Sequence, residues 1–328
     1  MYHCDDLQVL LALLLKKRLD LGYNCKCYLH LLHTPKSCYF MTATTEAIST
    51  EPKLNWTNVF FFSAFHIAAL AAPFYFSWQA VILTVFLHWL LGSIGITLGY
   101  HRLLSHRSFQ VPQWLEYIII TIGALALQGG PVFWVGGHRQ HHGFTEDNQK
   151  DPYSANKGFW WSHIMWIMYS KPEHFQRSNY SKFAPDLADD PYYKFLDTYF
   201  LLLQVPLAAL IYLIGEKVFA GLGASFLVYG VAVRSVFLWH STWLINSACH
   251  KWGYKNFAQT PDHSTNLWWA AILTYGEGWH NNHHAYPKSA RAGLKWWEID
   301  PTWGVINLLK TLGLAKKVYL PEPWQPSK

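Results

Sequence analysis

Long apolar stretches separated by polar segments dominate the hydropathy pattern of the chain. A helix needs about 20 apolar residues to cross a bilayer, and four stretches are suitable: 58–76, 79–99, 198–214 and 219–245. Ser77-Trp78 joins the first two stretches, and Gly215-Glu216-Lys217 lies between the last two. Because both connections are very short, the pattern predicts two helical hairpins whose tips lie on the same side of a membrane.

The basic residues predict which side of the membrane the hairpins face. Almost every Lys and Arg after residue 50 lies in segment 100–197 or after His250, opposite the hairpin tips, and the positive-inside rule assigns that side to the cytoplasm. We therefore expect an all-α membrane protein with four transmembrane helices and a cytoplasmic helical cap. A further apolar stretch, 114–127, is short for a span and is expected to be an interfacial or cap helix.

Residues 1–53 differ from the rest and are expected to be a disordered N-terminal extension. The apolar run 9–15 precedes Lys16-Lys17-Arg18, which is the reverse of a secretory signal. Met41 is followed by a polar, Thr-rich stretch, so we expect that it is the true start and that residues 1–40 have no role in function. Residues 54–321 are expected to form the functional domain, followed by a tail at 322–328.

The composition excludes several classes of protein. Hydrophobic residues make up 51%, aromatic residues 17% and charged residues only 14% of the 328 residues, whereas a soluble domain is about 25% charged. A disordered chain has few aromatic residues and many charges. The net charge of +6 is not concentrated in a Lys/Arg run, so no nucleic acid is expected as a partner.

Half of the 18 histidines fall in four tight groups on the expected cytoplasmic side. The groups are His101 and His106; His138, His141 and His142; Asn246 and His250; and His280, His283 and His284. On a helix, an H-x-x-H-H pattern brings its imidazoles to one face, so that two or three can converge on one metal. Nine imidazoles exceed what one metal holds, and two metal ions are therefore predicted. The nine isolated histidines are expected to be ordinary core or surface residues.

The ligand type restricts the metal. Imidazole binds Zn, Cu, Fe and Ni, but zinc has no redox chemistry and a structural zinc is closed by four ligands. A paired site with open positions at a membrane surface favours iron and O₂. Attack on an unactivated C–H bond needs an oxidant that no side chain supplies. A hydrocarbon substrate would enter from the bilayer through a tunnel shaped by aromatic and small residues, because buried charges are costly.

Four motifs surround these histidines: GYHRLLSH (99–106), WVGGHRQHH (134–142), TWLINSACH (242–250) and GEGWHNNHHAYP (276–287). In order and spacing, residues 54–321 resemble the membrane fatty-acyl desaturases of the delta-9 type, which include stearoyl-CoA desaturase, and look closest to the cyanobacterial acyl-lipid and plant-type branch. The resemblance implies a fatty acid desaturase domain with four spans, two irons (Fe²⁺) and O₂ as co-substrate. It also implies insertion of a cis double bond into a saturated C16 or C18 acyl chain.

The resemblance also implies roles for individual residues. The nine motif histidines would be the iron ligands, with Asn246 binding one iron through a water and no further catalytic residue. Gln128, Trp134 and Thr242 would shape the bend of the acyl tunnel, and Trp243 would help to line it. Glu277 and Asn281 are expected to orient imidazoles. Trp89 and Ser93, on the second predicted span, are expected to set the length of the tunnel.

Departures from the animal enzymes bear on the substrate and the electron donor. Gly136-Gly137 and Ser170-Lys171 stand where those enzymes carry pairs that contact the CoA group, so an acyl chain bound to a membrane glycerolipid is favoured over acyl-CoA. The chain has no His-Pro-Gly-Gly motif of a fused cytochrome b5, and a separate donor is expected, either ferredoxin or cytochrome b5. A cyanobacterial protein of this type would lie in the thylakoid or plasma membrane.

Other functions are compatible with parts of this pattern. An acyl-CoA delta-9 desaturase would carry the same motifs. A membrane di-iron fatty-acid hydroxylase shares the first hydrogen abstraction, but the H-x4-H spacing of the first motif and the GEGWHNNHH sequence favour a desaturase. A non-catalytic metal-binding or transport protein would place ionisable groups along a path within the spans, whereas the histidines cluster at one predicted face.

Overall fold

The computed structural model describes residues 52–170 and 175–321, which are almost entirely helical. The predictions for 1–51 and 322–328 therefore lie outside the described residues. The main helices are α1 (Trp56–Ala69), α2 (Trp78–Ser105), α3 (Gln113–Ala124), α4 (Pro131–Phe144), α5 (Pro191–Tyr199), α6 (Gln204–Lys217), α7 (residues 223–247), α8 (His280–Ala285) and α9 (Pro301–Thr311).

Shorter elements connect the main helices. Lys53–Leu54 and Tyr169–Ser170 form a small antiparallel pair of strands, with Leu54 opposite Tyr169. The short helical segments are Ala72–Tyr75, Ala155–Lys157, Trp161–Met165, Trp166–Met168, Arg177–Tyr180, Ser181–Phe183, Pro185–Ala188, Ala248–His250 and Trp268–Leu273.

Polar side chains determine where several of the helices begin. Asn55 and Ser77 each accept a hydrogen bond of 3.2 Å from the backbone N–H three residues further on, at the starts of α1 and α2. Asp190 and Asp300 do the same for α5 and α9, whose first residue is proline. These side chains satisfy N–H groups that have no partner within the helix, and proline sacrifices no hydrogen bond at that position.

The prediction of four transmembrane helices is not confirmed by the helices themselves. Among the described residues, α2 is the one helix that is long and apolar enough to cross a membrane. The α5–α6 pair meets the same test only when taken together, and it is bent by 67° at the break. The first predicted span, 58–76, is divided between α1 and the short helix Ala72–Tyr75. Within the fourth, the buried Arg234 donates hydrogen bonds to the carbonyls of Gly230 and Leu125.

A hydrophobic core forms around the second half of α2. Leu98 and Tyr100 of α2 pack with Ile120 of α3, Val132 of α4 and Ile306 of α9. The segment predicted at 114–127 is thus a helix that packs on α2. A second cluster joins α1 to α7 through Phe62, Trp239 and Trp243. This packing brings together the C-terminal ends of α2 and α7 with helices α4 and α8, which carry the histidines.

Candidate active site

The structure brings the nine motif histidines together and divides them into two groups. Within each group the ligand atoms all lie within 4.8 Å of one another. The five-histidine group comprises His101, His106, His138, His142 and His283, and the four-histidine group comprises His141, His250, His280 and His284. Two separate groups agree with the prediction of two metal ions.

Each H-x-x-H-H motif is shared between the groups. The first and last histidines of a motif stay together, as His138 and His142 do in the five-histidine group and His280 and His284 in the four-histidine group. The middle histidine joins the other group, so three imidazoles of one motif do not converge on one metal. Viewed down a helix axis, positions i+3 and i+4 lie on opposite sides of position i and roughly 100° apart. The histidines at these two positions therefore point in different directions, and each joins a different group.

The winding of α2 aligns the two histidines of the first motif. Residues 90–105 form a π-helix, in which hydrogen bonds join residues five apart. The N–H of His106 accordingly donates to the carbonyl of His101 at 3.1 Å. In an α-helix, residues five apart would point in directions roughly 140° apart. The π-helix therefore allows both imidazoles to reach the same group.

Within each group, the ring nitrogens of neighbouring histidines face one another at short range. Nε2···Nε2 distances are 2.8 Å for His106–His138 and 2.9 Å for His142–His283. His280 Nε2 lies 3.0 Å from that of His250 and 3.1 Å from that of His284. A proton on Nε2 of His280 could satisfy only one of these two contacts. In the other contact, two nitrogen lone pairs would face and repel one another unless a cation lay between them.

Carboxylates orient three of the four imidazoles in the four-histidine group. Asp151 contacts Nδ1 of His141 at 2.9 Å, Glu146 contacts that of His250 at 3.1 Å, and Asp262 contacts that of His284 at 2.7 Å. A carboxylate at Nδ1 keeps the proton there and leaves Nε2 free to bind a metal. The buried Nε2 of His141 has no hydrogen-bond partner, which fits a metal ligand. These acidic residues were missed by the sequence analysis, although Glu146 and Asp151 closely follow the second motif.

Burial keeps the imidazoles neutral. Removal from water, with neighbouring imidazoles adding to the effect, holds the pKa of His138, His142, His280 and His283 well below the usual value. Burial lowers the pKa of His284 to about 4, although Asp262 acts in the opposite direction. Neutral imidazoles with free lone pairs are the form that binds metal ions.

Glu277 links the first and third motifs. Its carboxylate lies 2.5 Å from Nδ1 of His101 and accepts hydrogen bonds from the guanidinium of Arg102. Burial alone would raise the pKa of Glu277, but His101 and Arg102 more than offset this and lower it. Arg102 also pairs with Asp300 at 3.0 Å. The position of Glu277 agrees with its expected role in orienting an imidazole.

Arg139 of the second motif holds the end of α2. Its guanidinium donates to the carbonyls of Leu104 and Ser105 at 2.8 and 3.0 Å, and it pairs with Asp186. Carbonyls at a helix C-terminus lack partners within the helix and favour a cation. Arg139 therefore fixes the first motif against the second.

Two predicted site asparagines lie in different surroundings. Asn281, expected to orient an imidazole, instead holds the 257–260 turn, through Phe257 and the Oγ1 of Thr260. Asn246 faces the cavities beside the histidines, where its expected role as a ligand through water remains a prediction.

Two cavities meet beside the histidines. The outer cavity extends to the exposed residues Thr57 and Leu201, whereas no residue that lines the inner cavity is exposed. The inner cavity contacts both groups through His101, His138, His141 and His280. The residues common to both linings are Trp134, His138, Thr242 and Asn246.

The predicted tunnel residues lie at this junction. The side-chain amide of Gln128 donates to Thr242 Oγ1 at 2.9 Å, and its carbonyl oxygen accepts from Trp134 Nε1 at 3.2 Å. Gln128 thereby joins α4 to α7 across the junction. Trp243 lines the outer cavity. All four residues line one or both of the cavities, and their role in shaping an acyl tunnel stays a prediction, whereas Trp89 and Ser93 are in neither lining.

The glycine pair in the second motif has two distinct environments. A Cβ added to Gly136 would lie 2.3 Å from the carbonyl oxygen of Tyr180, so any side chain there would force the backbone to move. Gly137 has open space around it and lines the outer cavity. Of the second pair that departs from the animal enzymes, Lys171 lies outside the described residues.

Three of the isolated histidines form a hydrogen-bonded series outside both groups. His240 contacts His66 Nε2 at 3.0 Å and His163 Nε2 at 2.9 Å, and His163 Nδ1 contacts Ser247 Oγ at 3.0 Å. These residues form hydrogen bonds with one another, as ordinary core residues do. His3, His30, His33 and His174 lie outside the described residues.

Comparison with known proteins places the site in a family. The family described as fatty acid desaturase matches residues 46–311. A relative named sn-2 palmitoyl-lipid 9-desaturase, from Nostoc sp. (strain 36), is 62% identical over 287 residues, covering 86% of this chain and 98% of the relative. Two relatives named sn-1 stearoyl-lipid 9-desaturase are each 50% identical: one from Anabaena variabilis (86% of this chain, 100% of the relative) and one from Synechocystis sp. (86% of each).

The matching family covers most of the chain, and the three relatives each cover 86% of it. The chain belongs to the fatty acid desaturase family. The resemblance found in the histidine motifs, including the cyanobacterial acyl-lipid branch, is thereby confirmed.

Proposed function

We propose that the chain is an O₂-dependent delta-9 desaturase that inserts a cis double bond into a saturated C16 or C18 acyl chain bound to a membrane glycerolipid. The observation that carries the proposal is the junction of the two cavities, where an inner cavity with no exposed lining residue begins beside both histidine groups. The names of the relatives support both the position of the double bond and the lipid-bound substrate.

The two histidine groups would hold two irons. The five-histidine group would hold one, and the four-histidine group, with Asn246 through a water, would hold the other. When bound, the irons supply the oxidant that removes hydrogen from two adjacent carbons, using O₂ and electrons from ferredoxin or cytochrome b5. Glu277, Asp151, Glu146 and Asp262 keep the Nε2 atoms directed toward them.

The cavities would determine which carbons react. An acyl chain that passes from the outer to the inner cavity must bend at Gln128, Trp134 and Thr242, beside His138. The outer cavity would hold the carboxyl side of the chain, so its length fixes how many carbons separate the ester from the histidines. The inner cavity has no exposed lining residue, so it would limit the access of water to the reacting carbons.

The apolar surface supports an integral membrane protein. Large side chains on α2 and α6 and on the segment between α1 and α2 face outward; Phe74 is 87% exposed, Trp78 70% and Val205 66%. An extensive exposed apolar surface marks a membrane or partner interface. We propose that 58–76, 79–99, 198–214 and 219–245 cross the bilayer, with the histidines on the cytoplasmic side of a thylakoid or plasma membrane.

Product analysis tests this function. We would express the full chain and residues 41–328 with ferredoxin in a host that lacks desaturases, with His284→Ala as the inactive control. Double bonds would be located by mass spectrometry, separately in intact lipids and in the acyl-CoA pool. New 9-monoenes appearing first in intact lipids are expected. Prior conversion of acyl-CoA would contradict the lipid substrate, and hydroxy acids without monoenes would contradict desaturation.

A further inference from the structure

The aromatic ring of Tyr275 forms part of the wall of the inner cavity. Tyr275, Gly92 and Leu238 line this cavity. A Cβ added to Gly92 would lie 3.2 Å from Cε2 of Tyr275 and 2.9 Å from Cδ1 of Leu238, so these side chains close tightly over the glycine. Leu238 precedes Asn246 by roughly 12 Å along α7, at 1.5 Å per residue. Gly92 and Leu238, which lie beside the ring, are thus about two helical turns from the histidine motifs along α2 and α7.

A series of hydrogen bonds holds this ring in place. Ser241 Oγ donates to the carbonyl of Phe237 at 2.8 Å, so the Nε2–H of His88 donates to Ser241 Oγ at 3.2 Å. Nδ1 of His88 then accepts from the Tyr275 hydroxyl at 2.6 Å. Every polar atom in this buried series has a partner. The imidazole of His88 also stacks on Phe237, with ring centroids 4.4 Å apart.

The backbone at Tyr275 is unusual for a large residue. Its φ is 57°, in the left-handed region that favours glycine. A bulky side chain at such an angle is uncommon and often marks a functional position. Trp89 and Ser93, which were expected to set the tunnel length, have other environments: Trp89 is 36% exposed, and Ser93 Oγ contacts Thr302 Oγ1 at 3.0 Å.

We propose that Tyr275, held by His88 and Ser241, forms the closed end of the acyl-binding cavity and sets the longest acyl chain that the enzyme accepts. This inference rests on the proposed function. The length of the outer cavity determines how many carbons lie between the ester and the reacting carbons. Tyr275 limits how many carbons can follow the reacting carbons. His88 and Ser241 are positioning residues, because they act through the ring.

Two substitutions should move the end of the cavity in opposite directions. Tyr275→Gly removes the ring and suits the positive φ, so it lengthens the cavity. Gly92→Ala adds a methyl group against Leu238 and Tyr275, so it shortens the cavity, while alanine favours the helix. One methylene in an apolar pocket changes specificity roughly 10-fold or more. We expect changes of that size, of opposite sign, in the ratio of C18 to C16 monoenes.

The test uses the expression host described above, supplied with saturated C14 to C20 fatty acids, and measures monoenes by chain length in intact lipids. Tyr275→Phe keeps the ring and should change the ratio less than Tyr275→Gly, and Trp89→Ala should leave it unchanged. If the wild type makes monoenes but neither Tyr275→Gly nor Gly92→Ala changes the ratio, Tyr275 does not set chain length. If Tyr275→Gly is inactive, the C18 to C16 ratio of Gly92→Ala alone tests the proposal, and an unchanged ratio would overturn it. No monoenes from the wild type would overturn the proposed function and this inference with it.

Discussion

The two histidine groups are held in different ways. In the four-histidine group, carboxylates contact Nδ1 of three imidazoles. In the five-histidine group, Glu277 on His101 is the one such carboxylate among the described residues. The other rings of the five-histidine group have ring contacts: His138 stacks on Trp134 with centroids 5.1 Å apart, and His106 contacts His101, His138, His142 and His283 edge to face. Edge-to-face contacts also join the rings of the four-histidine group, so the carboxylates are the difference between the groups.

This difference indicates how each group would resist distortion. A carboxylate fixes one imidazole directly and increases its basicity. Packing fixes several rings together and depends on the helices that carry them. The five-histidine group therefore relies on the π-helical end of α2 and on Arg102 and Arg139, which tie that end to the third and second motifs.

Loss of a ligand should have the largest effect and should separate the groups. His142→Ala and His284→Ala each remove one imidazole, from the five- and the four-histidine group respectively. Each variant is expected to lose all detectable desaturation and to retain less bound iron than the wild type, while remaining in the membrane. Product analysis and iron determination on purified protein measure both effects. Near-normal product from His142→Ala would contradict the ligand assignment.

Glu277→Gln should have the second-largest effect, because it weakens the contacts that hold the end of α2 beside the five-histidine group. The substitution leaves Arg102 buried with Asp300 as its remaining acidic partner. Removal of one member of a buried ion pair costs about 3 kcal/mol or more, so unfolding in detergent should begin at a clearly lower temperature. Activity should fall as well, because His101 loses its orienting group. Unchanged thermal unfolding would show that Arg102 does not tie the motifs together.

Asp262→Asn should affect the four-histidine group with less damage to the fold. Loss of a carboxylate that orients a metal-bound imidazole costs about 10–100-fold in metal affinity or activity. We expect iron to be lost first from this group and activity to recover with added Fe²⁺. Asp189→Asn, at an exposed surface residue that pairs with Lys194 at 3.4 Å, is the matched control. Equal losses in both variants would mean that Asp262 has no specific effect on the metal.

The sequence predicted the nine histidines because short spacings place them within a turn or two of one another. It did not predict their division, since neighbours such as His141 and His142 point to different groups only once the helix is oriented against its partners. Nor did it predict the π-helix at the first motif. The H-x4-H spacing is not typical of one face of an α-helix, and this mismatch was the available signal.

Other features depend on contacts between residues far apart in the chain. Tyr275 reaches His88 across 187 residues, and Asp262 orients a histidine 22 residues later. Local pattern cannot reveal such pairs. The four apolar stretches and the Ser77-Trp78 connection were visible from the sequence, but the 67° bend between α5 and α6 was not. The tunnel residues Gln128, Trp134 and Thr242 were found through family resemblance, and the structure joins them by hydrogen bonds.

Asn246 offers the finest test of the difference between the groups. If it binds an iron through a water, the four-histidine group gains a fifth ligand, and the two groups then differ in ligand type rather than in number. Asn246→Ala should reduce iron affinity about 10-fold, at the low end of the effect of groups near a metal. Asn246→Asp, which keeps an oxygen for the water, should restore much of that affinity. If Asn246 only lines the cavities, both variants should bind iron normally and Asn246→Ala should alter the chain-length profile instead, so the two measurements on the same protein separate the two roles.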